Sequence, residues 1–120
     1  MLKYVVVVDD DQEIREIITF ALRRNGFDVA VAGNGTQLQS LLDIRVPDLI
    51  LLDVMMPGQD GYQIFDCLRS NPATWHIPVI IMTAHAEDIY ARISFDLGAE
   101  HVTKPFHPIE LVEKVKTLLC

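Results

Sequence analysis

Apolar residues follow two rhythms along this chain. Short unbroken runs, Tyr4–Val8, Leu49–Leu52 and Val79–Met82, have strand length and no polar alternation, the pattern of strands buried on both faces. Between them apolar residues recur at helical spacing. Ile14, Ile17, Ile18, Ala21 and Leu22 predict a helix from Gln12, with Asp11 as N-cap and Gly26 as stop. Leu38, Leu41 and Leu42 predict a second over Thr36–Ile44, after a turn at Gly33-Asn34-Gly35; Tyr62, Phe65 and Leu68 predict a third over Gly61–Arg69. Ala86–Leu97, closed by Gly98, and Pro108–Leu119 read as the last two helices. Phe27–Ala32 and Glu100–Thr103 read as shorter strands, and Ser70–Ile77 as a polar loop.

Five strands alternating with five helices predict an α/β fold: one parallel sheet with helices on both faces. Right-handed crossovers place the C-terminal end of every strand on one edge, where open α/β sheets bind ligands. The residues at those ends are Asp9 and Asp10, Asp53, Thr83 and Lys104. Asp53 stands out: it ends the apolar run Leu49–Leu52 and is followed by the turn signals Pro57-Gly58 and Asp60-Gly61.

The length, 120 residues, suits one domain over 1–120 with a single core. The net charge of −7 opposes binding of nucleic acid or an anionic membrane by bulk charge. No apolar run is long enough to span a bilayer, and the N-terminal run is too short for a secretory signal. Cys67 and Cys120 lie far apart and read as two reduced thiols, which with the preceding points predicts a cytoplasmic domain.

An Asp after a strand is most often a turn or helix cap, and a Lys before Pro is usually only solvated. Here one topology brings several such residues together. Clustered carboxylates resist ionising together unless a cation joins them. A donor set of oxygens, without Cys or His, selects a hard divalent ion such as Mg2+. A carboxylate can attack phosphorus and form an acyl phosphate, while Lys104, Thr83 and the metal neutralise the phosphoryl oxygens. The constellation therefore supports in-line phosphoryl transfer onto a carboxylate.

The chain resembles the receiver domains of two-component response regulators. The matching pieces are Val7-Val8-Asp9-Asp10-Asp11, Leu51 through Gly58, Asp60-Gly61, Met82-Thr83-Ala84, Leu97-Gly98-Ala99 and Lys104-Pro105-Phe106. They run through nearly the whole chain in the family's order and spacing. The resemblance implies a flavodoxin-like (βα)5 sandwich with strand order 2-1-3-4-5. It implies that Asp53 is phosphorylated by a histidine kinase or phosphotransfer protein, and that Asp9, Asp10, Asp53 and the main-chain carbonyl of Met55 hold Mg2+. Lys104 would pair with the phosphoryl group, and the Lys104-Pro105 bond would be cis. Thr83 and Ala84 would carry the change to a switch residue. That residue is usually aromatic; here it is His101, an imidazole that can carry a proton near neutral pH. Met55 and His85 fall where such domains tune acyl-phosphate lifetime, whereas His76 and His107 read as surface residues. Output, and a homodimer, would use the face of helices Ala86–Leu97 and Pro108–Leu119 with strand Glu100–Thr103. The domain would be a signalling switch that catalyses its own phosphorylation and slow dephosphorylation, not an enzyme acting on other substrates.

Three other readings fit less well. A haloacid-dehalogenase-type phosphotransferase needs a second Asp two residues after the nucleophile, where this chain has Met55. A dinucleotide-binding module needs a glycine-rich turn after the first strand, where this chain has three Asp. An interaction domain that has lost phosphorylation would lack Asp53, Asp10 or Lys104, and all three are present.

Overall fold

The computed structural model describes residues 2–58, 60–85 and 98–119. Its elements, in chain order, are β1 (Tyr4–Val8), α1 (Gln12–Arg24), β2 (Asp28–Ala32), α2 (Gly35–Ile44), β3 (Leu49–Asp53), α3 (Gly61–Ser70), β4 (Val79–Thr83), β5 (Ala99–Thr103) and α4 (Pro108–Leu119). The five strands form one parallel sheet in the order β2-β1-β3-β4-β5. This is the predicted architecture; the helix expected over Ala86–Leu97 lies outside the described residues.

The three central strands, β1, β3 and β4, are buried at every position, while the edge strands β2 and β5 are only partly covered. That difference explains why the central runs are continuously apolar and the edge strands are not. Alternate side chains feed two apolar layers. One holds Val6, Val8, Ile50, Leu52 and Ile81 against Leu38 of α2 and Phe65 and Leu68 of α3. The other holds Val5, Val7, Leu49, Leu51 and Val102 against Ile18 and Leu22 of α1 and Leu111, Val112 and Val115 of α4.

Helix boundaries follow local chemistry. Asp11 caps α1, its carboxylate accepting from the amides of Glu13 and Ile14, and Gly26 turns the chain with φ +86° after the helix. Asn34 caps α2, so this helix starts at Gly35, one residue before the sequence pattern placed it. Asp60 caps α3 through the amide of Tyr62. These caps place three helix starts just beyond the strand ends on one edge of the sheet.

Candidate functional site

β1 pairs with β2 on one side and β3 on the other, so the connections leave in opposite directions and a crevice opens beyond the ends of β1 and β3. Asp9 and Asp53 stand at this crevice. Asp9 is 0% exposed and Asp53 2%, whereas Asp10 faces solvent. One carboxylate oxygen from each of the three lies within 4.8 Å of the others.

β5 delivers the counter-charge. Lys104 Nζ donates to Asp9 Oδ2 at 2.9 Å and lies 3.4 Å from Asp53 Oδ2. The amide of Lys104 donates to the carbonyl of Thr83 at 2.7 Å, which extends the β4–β5 ladder beyond the strands and aims the side chain back across the crevice. The Lys104-Pro105 peptide is cis. Other backbone contacts fix the acids. The Asp11 amide donates to Asp9 Oδ1 at 2.9 Å, and the Met55 amide donates to Asp53 Oδ1 at 2.9 Å.

Burial raises the Asp53 carboxyl above the ordinary carboxylate range. The Met55 amide and Lys104 oppose that shift, and the charge of Asp9 adds to it. For Lys104, burial alone would favour the neutral amine, but its hydrogen bond to Asp9 and the charges of Asp53 and Asp9 outweigh it and raise its pKa. One amine thus faces a set of three acids. All three donors are hard oxygens in one small volume, a set that fits a divalent cation such as Mg2+.

Thr83, 1% exposed, ends β4, and its Oγ1 accepts from the amide of His85 at 3.0 Å. His101 is paired with Ile81, while Thr83 is paired with Thr103. In-register pairing with two-residue alternation puts Thr83 and His101 on the same face of neighbouring strands, one alternation apart. His85, His76 and His107 are exposed.

Two supporting residues, Arg15 and Gly61, and one contact of the already expected Met55 were not legible as such in the sequence. Arg15 Nη1 donates to the carbonyl of Asp9 at 2.7 Å and anchors the end of β1 from inside α1. The Ala84 amide lies 3.2 Å from Met55 Sδ, so this side chain bridges the loops after β3 and β4. Gly61 packs α3 so closely on the end of β3 that a Cβ there would collide with the Val54 backbone and the carbonyl of Asp53. Of the two residues, only Gly61 had a signal: a glycine immediately after a helix-capping Asp.

Residues 5–116 match the family model described as the response regulator receiver domain. The chain belongs to this family. The receiver domain is 39% identical over 121 residues to the DNA-binding response regulator MtrA of Mycolicibacterium paratuberculosis, covering 99% of this chain and 52% of that protein. It is 40% identical over 120 residues to the regulatory protein VanRc of Enterococcus gallinarum, covering 99% of this chain and 51% of that one. The chain thus spans about half the length of the curated relatives it matches. Among solved structures it is similar to the receiver domain of Francisella response regulator 1452, with a TM-score of 0.85 and 32% identity over 98% of this chain and 96% of that chain. Receiver domains are signalling switches in two-component systems.

Proposed function

We propose that the chain accepts a phosphoryl group on Asp53 from a histidine kinase or phosphotransfer protein, in a Mg2+-dependent reaction, and thereby changes its output surface. The observation that carries this reading is the buried Asp53 carboxylate, set beside two further acids with Lys104 within 3.4 Å. An Asp53 oxygen attacks the phosphorus in line. The new O–P bond forms as the donor's P–N bond breaks, and the electron pair leaves with the donor imidazole. The Met55 amide holds Oδ1 in place, and Lys104 is positioned to neutralise charge on the arriving phosphoryl oxygens. Asp9, Asp10, Asp53 and the carbonyl of Met55 would hold Mg2+, which supplies further charge neutralisation. The same groups would serve slow self-dephosphorylation, with Met55 and His85 beside the path of the attacking water.

A cavity of about 460 Å3 opens beside Lys104, lined by Ile14, Ile17, Ala84, Pro105, Phe106 and Pro108. Its apolar wall suits the docking of a phosphodonor protein next to the acid crevice. Thr83 would follow the phosphoryl group, drawing Ala84 with it, and bias the His101 ring between two positions. Output would then leave through β5, α4 and the segment 86–97, to a downstream partner or a second copy. MtrA is a DNA-binding response regulator, and this chain covers about half of it. The net charge of −7 suits a domain that regulates such an activity without touching DNA itself, in the cytoplasm. No described helix is long and apolar enough to cross a membrane.

The test is intact-mass analysis after incubation with acetyl phosphate and Mg2+. A single acid-labile phosphoryl adduct is expected, lost in Asp53→Asn and on metal chelation. An adduct of normal yield on Asp53→Asn would overturn the assignment.

A further inference from the structure

Met55 touches both the acid crevice and the loop after β4. Its amide donates to Asp53 Oδ1 at 2.9 Å, and its sulfur accepts from the amide of Ala84 at 3.2 Å. The side chain is 44% exposed and belongs to neither apolar layer, although Val54 and Met56 on either side of it are buried in one of them. Burial of apolar surface therefore does not account for where the Met55 side chain lies; the contact to Ala84 does. The neighbouring Thr83 Oγ1 is held locally, accepting from the amide of His85 at 3.0 Å. The loop after β4 is thus tied at two successive residues, once to itself and once across to the loop after β3. The second tie is the weaker kind. A thioether is a poor hydrogen-bond acceptor, so it holds an exposed amide only slightly better than water does. Methionine also suits a contact that has to open, because its unbranched, flexible chain settles readily into another position.

We propose that Met55 is a positioning residue that opposes activation: its sulfur holds the Ala84 amide, and with it the loop after β4, in the unphosphorylated arrangement. The inference deepens the phosphoacceptor reading and rests on it in one step, the movement of Thr83 and Ala84 towards the phosphoryl group. That movement takes the Ala84 amide away from the sulfur, so the N–H···S contact opens as the loop shifts. The Met55 amide stays on Asp53 while the Met55 sulfur is given up. The balance between the two loop positions is then set in part by how good an acceptor stands at the δ position of residue 55. A side chain with no acceptor there lowers the share of the resting position, because the contact exists in that state alone. This role is separate from any effect of Met55 on the attacking water, since it concerns the loop before an acyl phosphate has formed.

The experiment compares the parent with Met55→Leu, which keeps an apolar side chain and removes the acceptor, and with Met55→Asn, which sets a carbonyl oxygen at the δ position. Two quantities are read: hydrogen exchange of the Ala84 amide in the free protein by NMR, and affinity for beryllofluoride, a phosphoryl mimic. Mg2+ is kept saturating for each variant, because the Met55 carbonyl is an expected ligand. Met55→Leu should speed Ala84 exchange about threefold and tighten beryllofluoride binding by a similar factor, the effect of one weak hydrogen bond. Met55→Asn should restore slow exchange and reverse the gain in affinity. Unchanged Ala84 exchange in Met55→Leu would overturn the proposal, since there is then no contact to break. Faster exchange without tighter binding would overturn it too, because the contact then has no part in the switch. So would Leu and Asn variants that both tighten binding, which would make bulk and not the acceptor decisive. The exchange measurement needs no phosphoryl mimic, which keeps the two readings apart. Beryllofluoride that fails to bind the parent, or that binds Asp53→Asn as well, overturns the phosphoacceptor reading and the release step with it, whatever Ala84 shows.

Discussion

Replacing Lys104 with methionine keeps the apolar stem and removes the cation from the crevice. The ammonium it deletes lies 2.9 Å from Asp9 and 3.4 Å from Asp53, carboxylates that are 0% and 2% exposed. Removing one partner of a buried ion pair costs about 3–5 kcal/mol, because a charge is left without compensation in a poorly solvated place. Two features reduce that figure here. The Lys104 side chain keeps 20% exposure, so water already screens part of the attraction. Asp53, held above the usual carboxylate range by burial and by Asp9, also has a ready way to shed its charge by taking up a proton. A net loss of about 2–3 kcal/mol near neutral pH is expected, a fall in Tm on the order of 10 °C. The assay is thermal unfolding with a metal chelator present. The pH dependence gives a second check. A carboxyl whose folded pKa is raised contributes stability at low pH that is lost as pH rises through the raised value. Without Lys104 that penalty grows, so the gap between variant and parent should narrow as pH falls from neutral towards the carboxylate range. Millimolar Mg2+ should narrow it too, by binding the native state alone. A loss below about half a kcal/mol, or a gap that widens in acid, would refute the view that Lys104 neutralises the buried acids.

Three further outcomes are expected. Asp10→Asn should weaken Mg2+ binding, read by titration calorimetry, and raise the melting temperature of the metal-free protein by relieving repulsion; an unchanged titration removes Asp10 from the site. Gly61→Ala should cost on the order of 1–3 kcal/mol in denaturant unfolding, because its methyl meets backbone atoms of Val54 and Asp53 that cannot swing aside. A midpoint equal to the parent's would contradict this close packing. The His101 ring resonances should differ between the free protein and the protein with beryllofluoride, a phosphoryl mimic; identical spectra would take His101 out of the switch.

How much was legible in the sequence depended on range. Strand and helix identity is set by side-chain periodicity over a few residues, so Tyr4–Val8 and Pro108–Leu119 were bounded correctly from the pattern alone. The errors were single residues at ends, as at Gly35 and Ala99, where a cap or one added ladder pair decides the boundary. The candidate site residues were legible because each stands at or just past the end of a predicted strand, and a parallel topology has only one edge on which such ends can gather.

Tertiary structure alone decided what those residues do to one another. Lys104 meets Asp9 across 95 positions of sequence, and no local rule fixes a distance of 2.9 Å between them. The sequence placed Asp53 at the rim of the sheet; its near-complete burial, and the shift of its carboxyl that follows, come from elements packed around it. Arg15, Gly61 and the sulfur of Met55 support the site through contacts between loops and helices that periodicity does not encode. The sequence by itself determined which chemical groups reach the sheet edge, because alternation and handedness act along the chain. The fold decided their spacing, burial and charge balance, because those depend on every element that closes around the crevice at once.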